Sequence, residues 1–439
     1  MKIAQQSYKI RRALLVEAIG NDGILILPGA LEKVRSNDTE YPYRQNSDFY
    51  YLTGFNEPEA VLVLAPGRAE GEALLFCRQR DRTMEIWNGR RAGQQAAIDD
   101  FGFDQAFPIE ELDAYMPELL DGRQQLFYSP GSDSDFDARL WGWLDKLRKG
   151  ERRGKSAPEE MMSRDRLIHG YRLIKSAEEI AVMRQAGEIS ARGHVRAMKE
   201  CRPEMMEYQL EAAIHHEFAY SGARHPAYST IVGSGENGCI LHYTENDDVL
   251  KDGDLVLIDA GCELDGYAAD ITRTFPVNGR FSEEQKALYN LVLAAQEAAL
   301  AEIAPGQPFD GFHKAAVRTL TEGLVALGLL EGDVEQLIAD DAYRAFYMHG
   351  TGHWLGLDVH DVGVHHLNGE PIPFVPGMVL TVEPGLYVAT DFEEVEPRWR
   401  GIGIRIEDNV VVTEQGHEIL TAGVPKTVDE IEALMASAR

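Results

Sequence analysis

The sequence predicts two mixed domains, an α/β domain over residues 1–170 and a larger α+β domain over residues 171–439. Three observations carry that expectation. A chain of 439 residues exceeds what a single core usually holds. Short apolar runs alternate with helix-like segments through the first third. Beyond it, strand-like runs bounded by Gly, Pro or Asp alternate with helices that open on capping boxes.

In the first domain, Gly23-Ile-Leu-Ile-Leu-Pro28 and Ala60-Val-Leu-Val-Leu-Ala65 are apolar runs of strand length. Between residues 146 and 166 the chain turns polar, with Arg148, Lys149, Arg152, Arg153 and Lys155 crowded around Gly150 and Gly154. That composition predicts an exposed linker, the alternative being a solvated turn within one domain. The second domain opens on the capping box Ser176-Ala-Glu-Glu179, and Ile180, Met183, Gly187 and Ile189 are then spaced for one helix face. Further helices are predicted over 204–220, stopped by Gly222, from Ser282-Glu-Glu-Gln285 to Ile303, and over 309–327 before Gly328. The predicted strands are 254–259, 267–276, 378–384 and 403–412.

Composition narrows the partners. Asp plus Glu number 72 against 43 Lys plus Arg, a formal charge of −29, and such a surface repels nucleic-acid phosphates and anionic membranes. Cys77, Cys201, Cys239 and Cys262 lie far apart with no C-x-x-C pair, as expected of reduced structural thiols in a cytoplasmic protein. Residues 1–30 carry charges where a secretory signal needs an apolar core, and no stretch approaches the ~18 apolar residues of a membrane span.

The candidate chemistry is carried by carboxylates and histidines. Asp259 closes an apolar strand, and Asp270 follows the turn-like Glu263-Leu-Asp-Gly266, so a hairpin could join the two. A buried pair of carboxylates cannot stay ionised without a cation, which makes a metal the natural third party. In His349-Gly-Thr-Gly-His353 the glycines oppose the helix on which an H-E-x-x-H zinc site is built, and the Glu is missing. Glu383 and Glu407 fall in predicted strands, with Arg405 on the same face as Glu407 and placed to orient it. Gly233-Ser-Gly-Glu-Asn-Gly238 matches a dinucleotide-binding pattern, but the residues after it read as a strand, leaving no helix N-terminus for a pyrophosphate. The pairs His215-His216 and His365-His366 are expected to face solvent or pack locally.

Taken together, Ile258-Asp-Ala-Gly261, Asp270-Ile-Thr-Arg-Thr274, His349-Gly-Thr-Gly-His353, Glu383-Pro-Gly385 and Arg405-Ile-Glu407 resemble the metal signature of the pita-bread (creatinase/aminopeptidase-like) metallopeptidases. Tyr41-Pro-Tyr-Arg-Gln-Asn-Ser-Asp48 and Leu52-Thr-Gly-Phe-Asn-Glu-Pro58 resemble the accessory domain of aminopeptidase P, so the similarity spans nearly the whole chain. The resemblance implies a pita-bread catalytic domain that releases the first residue from peptides with proline second, using two divalent ions, by family habit manganese. Asp259 would bind one ion, His353 and Glu383 the other, with Asp270 and Glu407 bridging. His242, His349 and His360 would line the substrate site, supported by Tyr387 and Arg405. Glu383 would shuttle the proton and His360 would polarise the scissile carbonyl. In a family-like homo-oligomer, dimer or tetramer, Trp87 and Asp38 would reach an active site of a neighbouring subunit.

Rival readings are a non-catalytic peptide-binding module on the same fold and, among enzymes, a methionine aminopeptidase or a prolidase. Loss of ligands would mark the first, and all five are present. The large N-terminal domain opposes the second. A prolidase needs a cationic grip on a free proline carboxylate, for which the basic stretch at Arg152 is a candidate.

Overall fold

The computed structural model describes residues 2–438, and the chain divides into two compact units, residues 3–172 and residues 173 onward. The first is built on a six-stranded sheet ordered Gln105–Pro108, Ala73–Cys77, Val61–Leu64, Gly23–Pro28, Gln125–Phe127, Glu160–Met162. Val61–Leu64 runs antiparallel to both neighbours, and the remaining pairings are parallel. A sheet covered on both faces needs apolar residues at every position, which is why the central runs do not alternate. Ile24, Ile26, Val61, Val63, Leu74 and Phe76 share a core with the helices Leu112–Leu120 and Ser134–Lys149. The intervening Leu25, Leu27 and Leu62 are fully buried on the opposite face.

Residues 146–166 are not a linker. The helix Ser134–Lys149 runs through its basic end, where Lys146, Arg148 and Lys149 suit the negative pole of the helix dipole. Glu160–Met162 then adds an edge strand to the sheet. The charged stretch is therefore the solvated rim of the first unit.

The second unit runs twice through one pattern, two successive helices that pack together followed by antiparallel strands. The helices Ala177–Glu200 and Glu207–Tyr220 precede a sheet of Ile231–Ser234, Leu255–Asp259 and Thr272–Pro276. The helices Glu283–Ala301 and Gly311–Ala326 precede a sheet of Val379–Val382, Asp408–Thr413 and Gly416–Ile419, with Gly385–Val388 paired to Ile402–Arg405 beside it. Both predicted capping boxes form, at Ser176 with Glu179 and at Ser282 with Gln285. The helix expected from residue 204 starts at Glu207, because Glu204 has a φ of 69° that no helix accommodates.

Two predicted strands are divided. Residues 267–276 form Tyr267–Ala268 in one small sheet and Thr272–Pro276 in another. Residues 403–412 form parts of Ile402–Arg405 and Asp408–Thr413, which also belong to different sheets. Asp270 and Glu407 sit in these breaks, and Glu383 sits in the equivalent break between Val379–Val382 and Gly385–Val388. A strand that changes sheets frees its junction residue from ladder pairing and turns its side chain inward.

Candidate active site

The five predicted ligands converge on one cavity of about 560 Å³ in the second unit, whose wall also holds His242, His349, His360 and Arg405. Asp259 ends its strand opposite Thr272, so the antiparallel pairing brings Asp270 back beside it. The side-chain amide of Asn409 clasps the Asp270 backbone, accepting from its N–H at 2.9 Å and donating to its carbonyl, and so replaces the missing ladder. His353 arrives on a segment laid along Val379–Val382, where Thr381 N–H donates to His353 O and Glu383 N–H to Thr351 O. This approach explains one glycine of the His349–His353 motif, because a Cβ at Gly352 would stand 2.0 Å from the Thr381 carbonyl oxygen.

The hydrogen bonds define each group's state. His353 Nδ1 lies 2.9 Å from the Trp354 carbonyl, which only accepts, so Nδ1 carries the proton and Nε2 points into the cavity. There it meets Asp270 Oδ2 at 3.5 Å and Glu383 Oε1 at 3.6 Å. Burial alone would lower the His353 pKa, but the Asp270 hydrogen bond and the charges of Asp270 and Glu383 raise it to about 9. The Tyr228 hydroxyl stands 2.6 Å from Asp259 and 2.5 Å from Asp270, one proton between two carboxylates. Burial and the Asp259 charge push Asp270 up. Burial raises Glu383 to about 7 against the lowering effect of His353, and burial with Asp270 and Glu383 pushes Glu407 well above its ordinary range.

These features pass the test for a metal site. Four carboxylates face one guanidinium, that of Arg405, and one imidazole whose Nε2, aimed inward by its partner N–H, would become a ligand once a cation displaced its proton. Ligand atoms of Asp270, His353 and Glu407 lie within 4.8 Å of one another. The oxygen-rich set suits hard or borderline divalent cations rather than thiolate-seeking ones.

One expectation is corrected by the contacts. Arg405 does not bond Glu407. Its Nη2 donates to Asp259 at 2.7 Å, Nη1 to the Tyr387 hydroxyl, and Nε to Thr272 Oγ1, which in turn donates to Glu407 at 2.6 Å. The sheet change between Arg405 and Glu407 breaks the alternation that would have paired them. Tyr387 is buried behind the wall and touches the cavity through His349, whose Nδ1–H donates to Gly350 O, leaving Nε2 to accept from the Tyr387 hydroxyl. Burial and the Arg405 charge lower His349 to about 4, so this ring is neutral. His242 and His360 lie exposed at the cavity mouth. Asp38, Trp87 and Arg152 are exposed residues of the first unit. Gly233–Gly238 joins a strand to a single 3-10 turn, which presents no helix to a dinucleotide.

Sequence reasoning missed Tyr228, Thr272, Thr381 and Asn409. Two had a legible signal, since Thr272 is two residues from Asp270 and Thr381 two from Glu383. Tyr228 lies outside any strand or helix, and no pattern marks it.

The fold and the buried acid cluster define a metal-dependent hydrolase. Residues 181–414 match the model of metallopeptidase family M24 and residues 8–128 that of the aminopeptidase P N-terminal domain, so the chain belongs to family M24 and carries that domain ahead of a pita-bread catalytic fold. It is 54% identical over 439 residues to the Xaa-Pro aminopeptidase of Escherichia coli K12, covering 100% of this chain and 99% of the relative. Among solved structures it matches the aminopeptidase PepP of Pseudomonas aeruginosa with a TM-score of 0.98 at 56% identity, covering 100% and 99% of the two chains. Aminopeptidase P of E. coli with the inhibitor Pro-Leu matches at 0.97 and 53%, covering both chains in full.

Proposed function

We infer that this protein is an Xaa-Pro aminopeptidase that releases the first residue of peptides whose second residue is proline. The observation that carries the reading is the convergence of four carboxylates and the inward-facing Nε2 of His353 on one cavity. Asp259 would hold one divalent ion, His353 and Glu383 the other, with Asp270 and Glu407 serving both. Two ions bound there would supply Lewis acidity for the water nucleophile and the scissile carbonyl. Manganese fits the donor set.

The chain's own residues supply the rest. Glu383, whose carboxylate lines the cavity, is placed to take a proton from the attacking water and deliver it to the departing proline nitrogen. His360 and His242 stand at the mouth, where an N–H can donate to the carbonyl oxygen as it gains charge. The bond before proline has no N–H to recognise, so the ring must be gripped by shape, and His349, braced by Tyr387, offers a neutral flat wall. The acidic end of the cavity receives the substrate's α-amino group, which sets the cut one residue from the terminus.

Four cysteines that form no disulfide fit a cytoplasmic location, and no helix among the described residues is long and apolar enough to cross a membrane. Ile86 and Trp87 are 75% and 81% exposed on the helix Arg82–Asn88, an apolar patch that supports a homo-oligomer, dimer or tetramer, in which Trp87 and Asp38 face a neighbouring subunit.

The test compares Xaa-Pro-Xaa tripeptides with Xaa-Pro dipeptides, using chelator-stripped protein restored with manganese. Release of the first residue from the tripeptides, lost on chelation and regained with metal, is the expected result. Release of proline from dipeptides alone would make the protein a prolidase instead.

A further inference from the structure

His242, Leu241 and Thr244 line the cavity from the long connection between Ile231–Ser234 and Leu255–Asp259, a stretch otherwise free of regular structure beyond one 3-10 turn. An irregular segment places a side chain accurately only if something else fixes its backbone. Here that anchor is a carboxylate outside the cavity. Glu207, in the first turn of the helix Glu207–Tyr220, is fully buried and accepts five hydrogen bonds from the two ends of this connection. Its Oε1 accepts from Ser234 N–H at 2.7 Å, Ser234 Oγ at 2.8 Å and Asn237 Nδ2 at 3.2 Å. Its Oε2 accepts from the Tyr243 hydroxyl at 2.8 Å and Asp248 N–H at 3.0 Å. One turn along the same helix, Glu211 takes the side chain of Asn246, which also bonds Val232 N–H and Thr230 O.

We propose that Glu207 is a positioning residue that holds His242 at the mouth of the active site, acting through the Tyr243 hydroxyl and the Asp248 backbone. Tyr243 is the neighbour of His242, and its ring packs with Ile231, Leu257 and Tyr387. The hydroxyl end is tied to Glu207 and the ring to the residue that braces His349, so Tyr243 has little freedom to turn. A carboxylate is required because all five partners donate, and an amide in its place would turn an N–H toward one of the two donor sets. The inference rests on the aminopeptidase reading, in which His242 meets the substrate.

A double-mutant cycle on kcat/KM for an Xaa-Pro-Xaa tripeptide tests it, with wild type, Glu207→Gln, His242→Ala and the double variant, each in the manganese-loaded full chain. Glu207→Gln should lower kcat/KM on the order of tenfold to a hundredfold with His242 present, and have almost no effect once His242 is alanine. Bound metal per chain should be unchanged, and amide exchange over residues 242–248 should quicken in the metal-free protein. An equal loss in both backgrounds, a loss of metal, or no loss would overturn the proposal. If Glu207→Gln does not fold, Tyr243→Phe removes one of the five donors and enters the same cycle with the same outcomes. A wild-type protein inactive on tripeptides sinks the aminopeptidase reading instead, and the exchange measurement still decides whether Glu207 holds the segment.

Discussion

Glu407 and Asp408 are consecutive in the chain and equally buried, yet their carboxyl groups stand in opposite electrostatic regions. Asp408 turns away from the cavity into a closed network. Arg273 donates to it at 2.7 Å, Thr421 at 2.8 Å and Lys426 at 3.1 Å, and these outweigh burial to hold its pKa below the ordinary carboxylate range. Glu407 faces the cavity, where burial and the charges of Asp270, Glu383 and Asp259 push it well above that range. The protein thus closes one buried carboxylate with its own cations and leaves its neighbour among other anions. A buried charge without a partner is costly, so these carboxyls hold protons until a cation from outside replaces them.

Replacing each residue in turn should give opposite outcomes. Glu407→Ala is expected to abolish turnover and remove much of the bound metal, read by peptide hydrolysis and metal analysis, while the metal-free protein melts no lower than wild type because the lost group was repelled there. Full activity in that variant would refute the shared-ligand role. Asp408→Ala has the reverse profile, since it leaves Arg273 and Lys426 without their counter-charge. It should cost about 3–5 kcal/mol of unfolding free energy, the usual penalty for breaking a buried pair from one side, measured by denaturant unfolding. A cost under about 1 kcal/mol, as for a surface pair, would erase the distinction.

The features legible in the sequence are those set by local interactions. The capping boxes at Ser176 and Ser282 depend on residues three apart, and both helices form as read. The apolar runs of the first unit report burial on both faces directly. The five candidate ligands were legible as chemistry, because each is a carboxylate or imidazole beside Gly or an apolar run. Their settings were not. Alternation marks residues 403–412 as extended, but it cannot reveal that the chain leaves one sheet and joins another between Arg405 and Asp408, since both halves alternate equally well. That change of sheet sends Arg405 to Asp259 rather than Glu407. The basic stretch near Arg152 misled for a related reason, since charge shows that a segment is solvated and says nothing about where a domain ends.

The smallest expected effect concerns pH and sets a carboxyl of the open cluster against a closed one in the first unit. With metal chelated, burial lifts Glu383 from the ordinary 4.5 to about 7. A carboxyl with a raised folded pKa loses its proton more readily in the unfolded chain, so stability should fall as pH rises between about 4.5 and 7, each pKa unit carrying about 1.4 kcal/mol. In the first unit, Asp48 accepts from Arg172 at 2.6 Å and pairs with His169 at 3.2 Å, and although burial would raise it, these partners hold it below 3.8. A lowered folded pKa contributes stability that is present above 3.8 and lost as the pH falls through the folded value. His349 and His194, both lowered to about 4, contribute stability that rises with pH over the same window as Glu383. Thermal melts across pH on the chelated protein should therefore show the falling upper slope as the difference between wild type and Glu383→Gln, and the Asp48 contribution as an acid limb of opposite sign. Manganese should flatten the upper slope, since the ion takes the proton's place, and leave the acid limb alone. Asp48→Asn should flatten the acid limb and leave the upper slope alone. If manganese leaves the upper slope intact, the raised carboxyls are not where the ion binds, and the contrast between open and closed clusters loses its meaning.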